Sequence, residues 1–458
     1  MLKTLPLSLA ITLLLTACAT RLQEAPVQQA MLDDALPDTT QVRAEWAAPA
    51  DDTGQVDDGW LATFNDDELD TLVAEALDKQ NPNMRLLAAQ VDRAEASARL
   101  AGAALKPTVS LGADLSGTKG PATLEQNVGA AGVGISWEAD VWGRVQAGVT
   151  AAEENLRATT ADFEFARQSL AANVAKSWYL ATELSLQTAL AEDVVKILSK
   201  MVTLVETREK VGQVSMQDVY LVRADLASAE NALQQAIGGQ QQARRALEIL
   251  LGRYPAGEIQ SATELVPVPP PIPAGLPSDL LERRPDLIAS DRRVAAAFNL
   301  TEEARLAKLP RFQLNAGIGV SSALSQTIGN LSLGLFAPLY TGGALEAQLD
   351  IATADQEAAV AAYGATVLKA LEEVEGALTN EVLLQNQETF LASAAENNRE
   401  AYDIAKVQYD VGQIDLLSML QMQTRWIGSR VSLLRVKNER LAERINLHLA
   451  LGGSFDPH

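Results

Sequence analysis

Residues 208–219 read Arg-Glu-Lys-Val-Gly-Gln-Val-Ser-Met-Gln-Asp-Val, and residues 408–419 read Gln-Tyr-Asp-Val-Gly-Gln-Ile-Asp-Leu-Leu-Ser-Met. The tripeptide Val211-Gly212-Gln213 returns as Val411-Gly412-Gln413, 200 residues later. A long stretch rich in Ala, Leu, Glu and Gln leads into each site, and another leaves it. Gly212 and Gly412 suit the left-handed position just past a helix, and Ser215 and Asp415 can N-cap the next one. Each site therefore reads as the tip of a helical hairpin, with Gln213-Val214 and Gln413-Ile414 in the turns. The rest of the chain reads as two copies of whatever carries that tip.

Working outward, the helices keep the same offset. Gly143 and Gly343 open proline-free runs, 144–211 and 344–411, of 68 residues each. At 1.5 Å per residue these are about 100 Å long. The outbound helices 215–251 and 415–451 hold 37 residues each and end at Leu251-Gly252 and Leu451-Gly452. Helices of 24 residues, 82–105 and 285–308, open each copy, ahead of its long helix. Stacked end to end on the outbound helices, they nearly match the long ones. A hairpin of this length cannot hide its apolar stripe within itself, so it needs neighbours.

Between helices lie stretches of strict alternation. Val109, Leu111, Ala113 and Leu115 alternate with Ser110, Gly112, Asp114 and Ser116. Val133, Ile135, Trp137, Ala139 and Val141 alternate with Gly and polar residues. A polar loop is expected at Gly117–Asn127. The second copy repeats the pattern over Phe312–Val320 and Leu331–Phe336. Period-two strands of about ten residues, with one apolar face, fit a transmembrane β-barrel. Four strands cannot close a barrel, since even small ones need about eight. A soluble antiparallel sheet packed on a core is the competing reading. Lipid tolerates no open sheet edge, so if these strands lie in a membrane the protein must oligomerise.

The N-terminal residues carry an address. Lys3 and the apolar run Leu5–Leu15 form a secretion signal too short to span a membrane. The run ends Leu15-Thr16-Ala17-Cys18, and Cys18 is the single cysteine of the chain. This arrangement resembles a bacterial lipobox, in which the cysteine is acylated and becomes the new N-terminus; several acyl chains make a stable anchor. Residues 20–58 are expected to run extended against the body. Trp60, Phe64, Leu69, Leu72, Val73, Ala76 and Leu77 suggest one short amphipathic helix. The Pro-rich stretch Gly252–Pro277 is the crossover between the copies.

Composition narrows the function classes. A net charge of −22 disfavours nucleic acid as a partner. Only two histidines are present, His448 and His458. Together with the absence of a Gly-rich phosphate loop, this speaks against an enzyme, a metal centre or a cofactor.

The combined pattern resembles the TolC-like outer-membrane factors, and most closely their lipoprotein branch. The residues carrying the resemblance are Trp60, Phe64, Leu69, Leu72, Ala76-Leu77 and Asn81, then Asp279-Leu280-Leu281-Glu282-Arg283-Arg284-Pro285-Asp286-Leu287, and Val211-Gly212, Ser215 and Asp218-Val219. The resemblance implies a mainly helical, internally duplicated chain with a transmembrane β part. It implies a homotrimer in which a 12-stranded barrel in outer-membrane lipid continues into a periplasmic α-barrel tunnel. Gly212, Gln213, Val214, Ser215, Gly412, Gln413, Ile414 and Asp415 would form the closable end. That end would meet a periplasmic adaptor and, through it, an inner-membrane pump. The expected function is the exit duct of a tripartite efflux pump. Type I protein secretion and a lipid-anchored coiled-coil scaffold are the alternatives.

The expected segments are 1–17 (signal), 18–81 (anchor and equatorial part), 82–252 (first repeat), 253–284 (crossover and equatorial part), 285–452 (second repeat) and 453–458 (tail). The chain departs from the family pattern at Ser418, Met422 and Gln423, where many members carry Asp and an Ala-Gln pair. Asp415 fits both a helix cap and a carboxylate ring at a constriction. Arg208, Glu209, Lys210 and Asp410, one turn above the tips, are candidates for ion pairs that hold a closed state.

Overall fold

The computed structural model describes residues 35–36, 45–48, 56, 58–120, 123–275, 277, 280–321 and 326–455. A 3-10 helix, Trp60–Phe64, comes first. It is followed by α1 (Asp67–Ala76), α2 (Pro82–Ala103), β1 (Thr108–Gly120), β2 (Thr123–Ala139), α3 (Arg144–Lys210) and α4 (Met216–Leu250). After the crossover come a single turn α5 (Leu280–Arg283), α6 (Pro285–Leu306), β3 (Arg311–Ser321), β4 (Gln326–Phe336), α7 (Ala344–Asp410) and α8 (Leu416–Ala450). Apart from the one expected from Trp60 to Leu77, the expected helices are present, each within about two residues of its expected ends. The chain divides into two compact bodies, each drawing on both repeats.

The first body, 89–162 with 286–367, holds the sheet. Its order is β1-β2-β3-β4, antiparallel throughout. The register puts Val109, Ile135, Ala316 and Leu331 in one row, and Leu111, Val133 and Ile318 in another. The opposite face carries rows of Ser110, Gly134, Gly317 and Asn330, and of Thr108, Ser136, Asn315 and Ser332. The apolar face that alternation predicts is thus continuous over four strands.

The polar face is tight where the repeats meet. A Cβ on Gly132 would stand 2.8 Å from the Ile318 carbonyl oxygen and 2.9 Å from Gly319 Cα. A Cβ on Gly319 would stand 2.8 Å from the Ala131 carbonyl oxygen. Only glycine fits this close approach of backbones.

Two expectations are corrected. The polar loop at Gly117–Asn127 is mostly strand, since β1 and β2 stay paired to Thr118↔Gln126 and Gly120↔Thr123. Backbone hydrogen bonds carry a ladder onward after side-chain alternation fades. The single helix expected from Trp60 to Leu77 is broken at Asn65, which lies in the left-handed region at φ 49°. Asp66 restarts it as N-cap, accepting the Leu69 N–H at 3.1 Å.

The second body comprises the described residues within 42–88, 163–285 and 368–458. Its core packs Trp60, Phe64, Leu69 and Leu72 against Ala171, Ala172, Ala175, Trp178, Leu247, Leu441 and Ile445. The alanines let helix backbones approach closely. The Trp178 indole N–H donates to Asp66 at 2.9 Å. Of the stretch 20–58, expected to run extended, most lies outside the described residues; the piece 45–48 is bent and is held by hydrogen bonds. The Trp46 indole donates to the Ala274 and Gly275 carbonyls, and Glu375 accepts the Ala47 and Ala48 N–H groups.

Proline removes N–H donors from the crossover but leaves its carbonyls as acceptors. Arg444, 2% exposed, takes two of them, Pro269 (2.8 Å) and Pro270, and pairs with Glu381 at 2.5 Å. Glu248 fixes the start of the crossover, accepting N–H groups of Gly257, Glu258 and Ile259 at 2.6, 2.7 and 3.1 Å. Burial pushes the Glu248 carboxyl up, but these three donors and Arg253 outweigh it and hold it below the usual range. The string Leu280–Pro285 is a joint: Arg283 meets Asp58 at 3.2 Å, and Arg284 meets Glu373 at 2.7 Å and the Ala450 carbonyl at 3.0 Å.

Candidate channel gate and family

Both hairpin tips belong to the second body, and they are built alike. At the end of α3, Gly212 N–H donates to Glu209 and Gln213 N–H to Arg208, at 2.8 and 2.9 Å. At the end of α7, Gly412 N–H donates to Tyr409 and Gln413 N–H to Gln408, at 3.1 and 2.8 Å. This is the Schellman pattern, which needs a left-handed residue at C′. Gly212 (φ 74°) and Gly412 (φ 75°) supply it. The Gln side chains and Val211 and Val411 are exposed on both tips.

The caps differ. Ser215 makes a full capping box with Asp218: its Oγ accepts the Asp218 N–H at 3.3 Å, and Asp218 accepts the Ser215 N–H at 2.9 Å. Asp415 caps α8 directly, accepting the Ser418 N–H at 2.7 Å. That N–H, and then the Ser418 hydroxyl, hold the Asp415 carboxyl below its ordinary value. The cap reading of Asp415 is therefore realised, on an exposed side chain. The Ser-x-x-Asp spacing at 215–218 was available in the sequence as the mark of a capping box.

Beneath the turns the two hairpins share one apolar cluster. Val205, Val219 and Val222 of the first hairpin lie with Tyr402, Tyr409, Leu416 and Met419 of the second. Val214 and Ile414 pack against it from their turns. Tyr402 stacks on Trp426 at 5.2 Å between centroids. Neither aromatic stood among the expected site residues, although Tyr402 and Tyr409, seven apart, share one helix face.

Of the four charged residues above the tips, Arg208 and Asp410 come together at 3.9 Å, and the Arg208 guanidinium lies 4.8 Å from the Tyr409 ring. A half-exposed pair at that distance is worth under about 1 kcal/mol. Each fully buried Val or Met contributes about 1.5–3 kcal/mol. The apolar cluster, not the ion pair, holds the tips of one chain together. Cys18 lies outside the described residues.

Comparison with known proteins decides the family. The family model described as outer membrane efflux protein matches residues 72–253 and 276–453. The chain belongs to the outer membrane efflux protein family. It is similar to the pyoverdine export outer membrane protein OpmQ of Pseudomonas aeruginosa, 30% identical over 86% of this chain and 87% of that one. It is also similar to the cation efflux system protein CusC of Escherichia coli K12, 27% identical over 86% of this chain and 88% of that one. The crystal structure of the Campylobacter jejuni CmeC outer membrane channel superposes with a TM-score of 0.85 at 21% identity, covering 92% of this chain and 95% of that one. The protein is thus an outer-membrane efflux channel, with a transmembrane sheet and long helical hairpins.

Proposed function

We propose that three copies of this chain close a 12-stranded barrel, continue it as a helical tunnel, and open or shut it at the Gly212 and Gly412 tips. One observation carries the reading. The sheet has an apolar face on all four strands, and its outer strands, β1 and β4, have no second neighbour among the described residues. A membrane-embedded sheet needs every edge closed.

In this reading the tips meet a periplasmic adaptor through residues 212–215 and 412–415. The adaptor links them to an inner-membrane pump, and that pump sets the cargo. Three Asp415 carboxylates around one axis would attract cations and repel one another, favouring an open constriction. Acylated Cys18 adds a lipid anchor, and segments 82–252 and 285–452 act as the two repeats.

The test is the protein molar mass of the mature product in mild detergent, corrected for bound detergent. Three chain masses are expected; a stable monomer overturns the barrel and the tunnel. For the tips, Gly212→Trp and Gly412→Trp should each lower adaptor binding and export. Retention of both would remove the tips from the mechanism.

A further inference from the structure

Leu339 and Tyr340 are 95% and 91% exposed, the highest values among the exposed large hydrophobic side chains described. They lie in the seven-residue linker between β4 and α7. The matching linker of the first repeat, between β2 and α3, has four residues and is thoroughly tied down. Its Trp142 indole donates to the Pro310 carbonyl at 2.7 Å, and the ring sits 6.4 Å from Phe312. Its Asp140 accepts the Val145 and Gln146 N–H groups, and Arg144 pairs with Glu138 and Glu303.

Within one chain, then, the exit from β2 docks on the turn that enters β3. This follows from the strand order, because β2 and β3 are neighbours. The exit from β4 has no such turn to meet, since β4 is an edge strand. Among the described residues, the one other turn of this kind enters β1, the opposite edge. There Pro107 stands immediately before β1, as Pro310 stands immediately before β3, and Pro107 is exposed.

We propose that Leu339 and Tyr340 dock on the Lys106-Pro107 turn of a second copy of this chain, as Trp142 docks on Pro310 within one copy. Tyr340 supplies the aromatic ring and an O–H donor for the Pro107 carbonyl of that copy. In the repeat alignment Gly342 takes the place of Trp142. The longer linker carries the aromatic two residues earlier and gives it the reach to cross between chains. A tyrosine also suits this place physically, with an apolar body and a polar tip that needs a partner. The contact would seal the seam between protomers at the junction of strand and helix.

This inference rests on the trimeric reading, and the experiment separates the two. The double variant Tyr340→Cys/Lys106→Cys is purified in mild detergent, oxidised, and run without reductant, beside each single variant. The singles control for bridges to Cys18, the one cysteine of the natural chain. Bands of two and three chains are expected in the double variant and not in the singles. A preparation with the mass of three chains but no such bands overturns the docking and leaves the trimer standing. A preparation with the mass of one chain overturns both.

As a second measurement, Leu339→Ser/Tyr340→Ser should reduce at least several-fold the fraction of oligomer that survives heating in detergent. An unchanged fraction would mean that the two side chains face lipid, and the docking would fall.

Discussion

The Trp60 indole lies on the His448 imidazole, 5.6 Å between ring centroids and 24° from parallel. The contact joins the 3-10 helix to the end of α8 and buries His448 to 5% exposure. Burial, and then the charge of Arg444 one turn earlier, push the imidazole down to about 3. The folded value is below the unfolded one near 6.5, so folding favours the neutral ring. Its contribution is complete above pH 6.5 and is lost as pH falls from 6.5 toward 3. At pH 5 the loss is about 2 kcal/mol per chain. Thermal unfolding of the natural protein should therefore drop faster between pH 7.5 and 5 than that of His448→Phe, which keeps a ring against Trp60. Parallel pH profiles would refute the assignment.

The glycines of the sheet make a sharper contrast. Gly112, Gly132 and Gly319 share a row, yet a Cβ on Gly112 would touch nothing within 4 Å, whereas one on Gly132 would strike backbone on β3. Gly112→Ala should assemble normally. Gly132→Val should force β2 and β3 apart, leave polar backbone in lipid and abolish folded channel in outer-membrane fractions. Equal yields of the two variants would show that the approach at Gly132 is not needed.

How much of this was legible beforehand depends on the distance between partners along the chain. The tips, the helix lengths and the strand faces rest on local signals: Gly412 after Val411, Ser215 before α4, Val109 two residues from Leu111. The pairing of Arg444 with the Pro269 and Pro270 carbonyls was not legible, because a run of prolines does not announce which carbonyls will be buried. Neither was the β2–β3 seam, which joins residues about 180 apart. At the proposed gate, the capping residues could be read and the shared cluster under them could not. The apolar positions of Val205 and Met419 fit any helix pair, and only packing selects the neighbour.

At the tips, backbone strain can be measured alone. No atom lies within 4 Å of a Cβ built on Gly212 or Gly412, so a substitution there meets only the left-handed φ. Gly212→Ala should cost about 1–2 kcal/mol, Gly212→Val more and Gly212→Asn less. The readout is the rate at which an added protease cuts within 208–216. The order Asn, Ala, Val in rising susceptibility is expected. No order among them would show that the Schellman turn is not what holds the tip.

The two caps allow structure to be separated from charge. Ser215→Ala should cost about 1 kcal/mol, since it removes the capping box with Asp218. Asp415→Asn keeps an oxygen for the Ser418 N–H but removes the charge. Stability should be retained while the single-channel cation preference of reconstituted protein falls. If Asp415→Asn unfolds the tip as readily as Asp415→Ala does, the carboxylate acts only as a cap. If it changes neither property, Asp415 has no place in the constriction.

Arg444 is the most demanding test of how the crossover is held. Its guanidinium is buried, engages both oxygens of Glu381, and satisfies the Pro269 and Pro270 carbonyls. Arg444→Met removes all of these at once. Glu381 would be left with Arg440 at 3.8 Å, and two proline carbonyls would lose a buried donor. The expected loss is about 3–5 kcal/mol, the range for breaking one side of a buried pair. Arg444→Lys should recover little, because a single ammonium cannot reach a carboxylate and two carbonyls in one plane. The double variant Arg444→Met/Glu381→Met should lie well above Arg444→Met in stability, since it withdraws the stranded charge. A double variant as unstable as the sum of the singles would mean that Arg444 acts through the crossover carbonyls alone, and that its ion pair with Glu381 contributes nothing to holding α7 and α8.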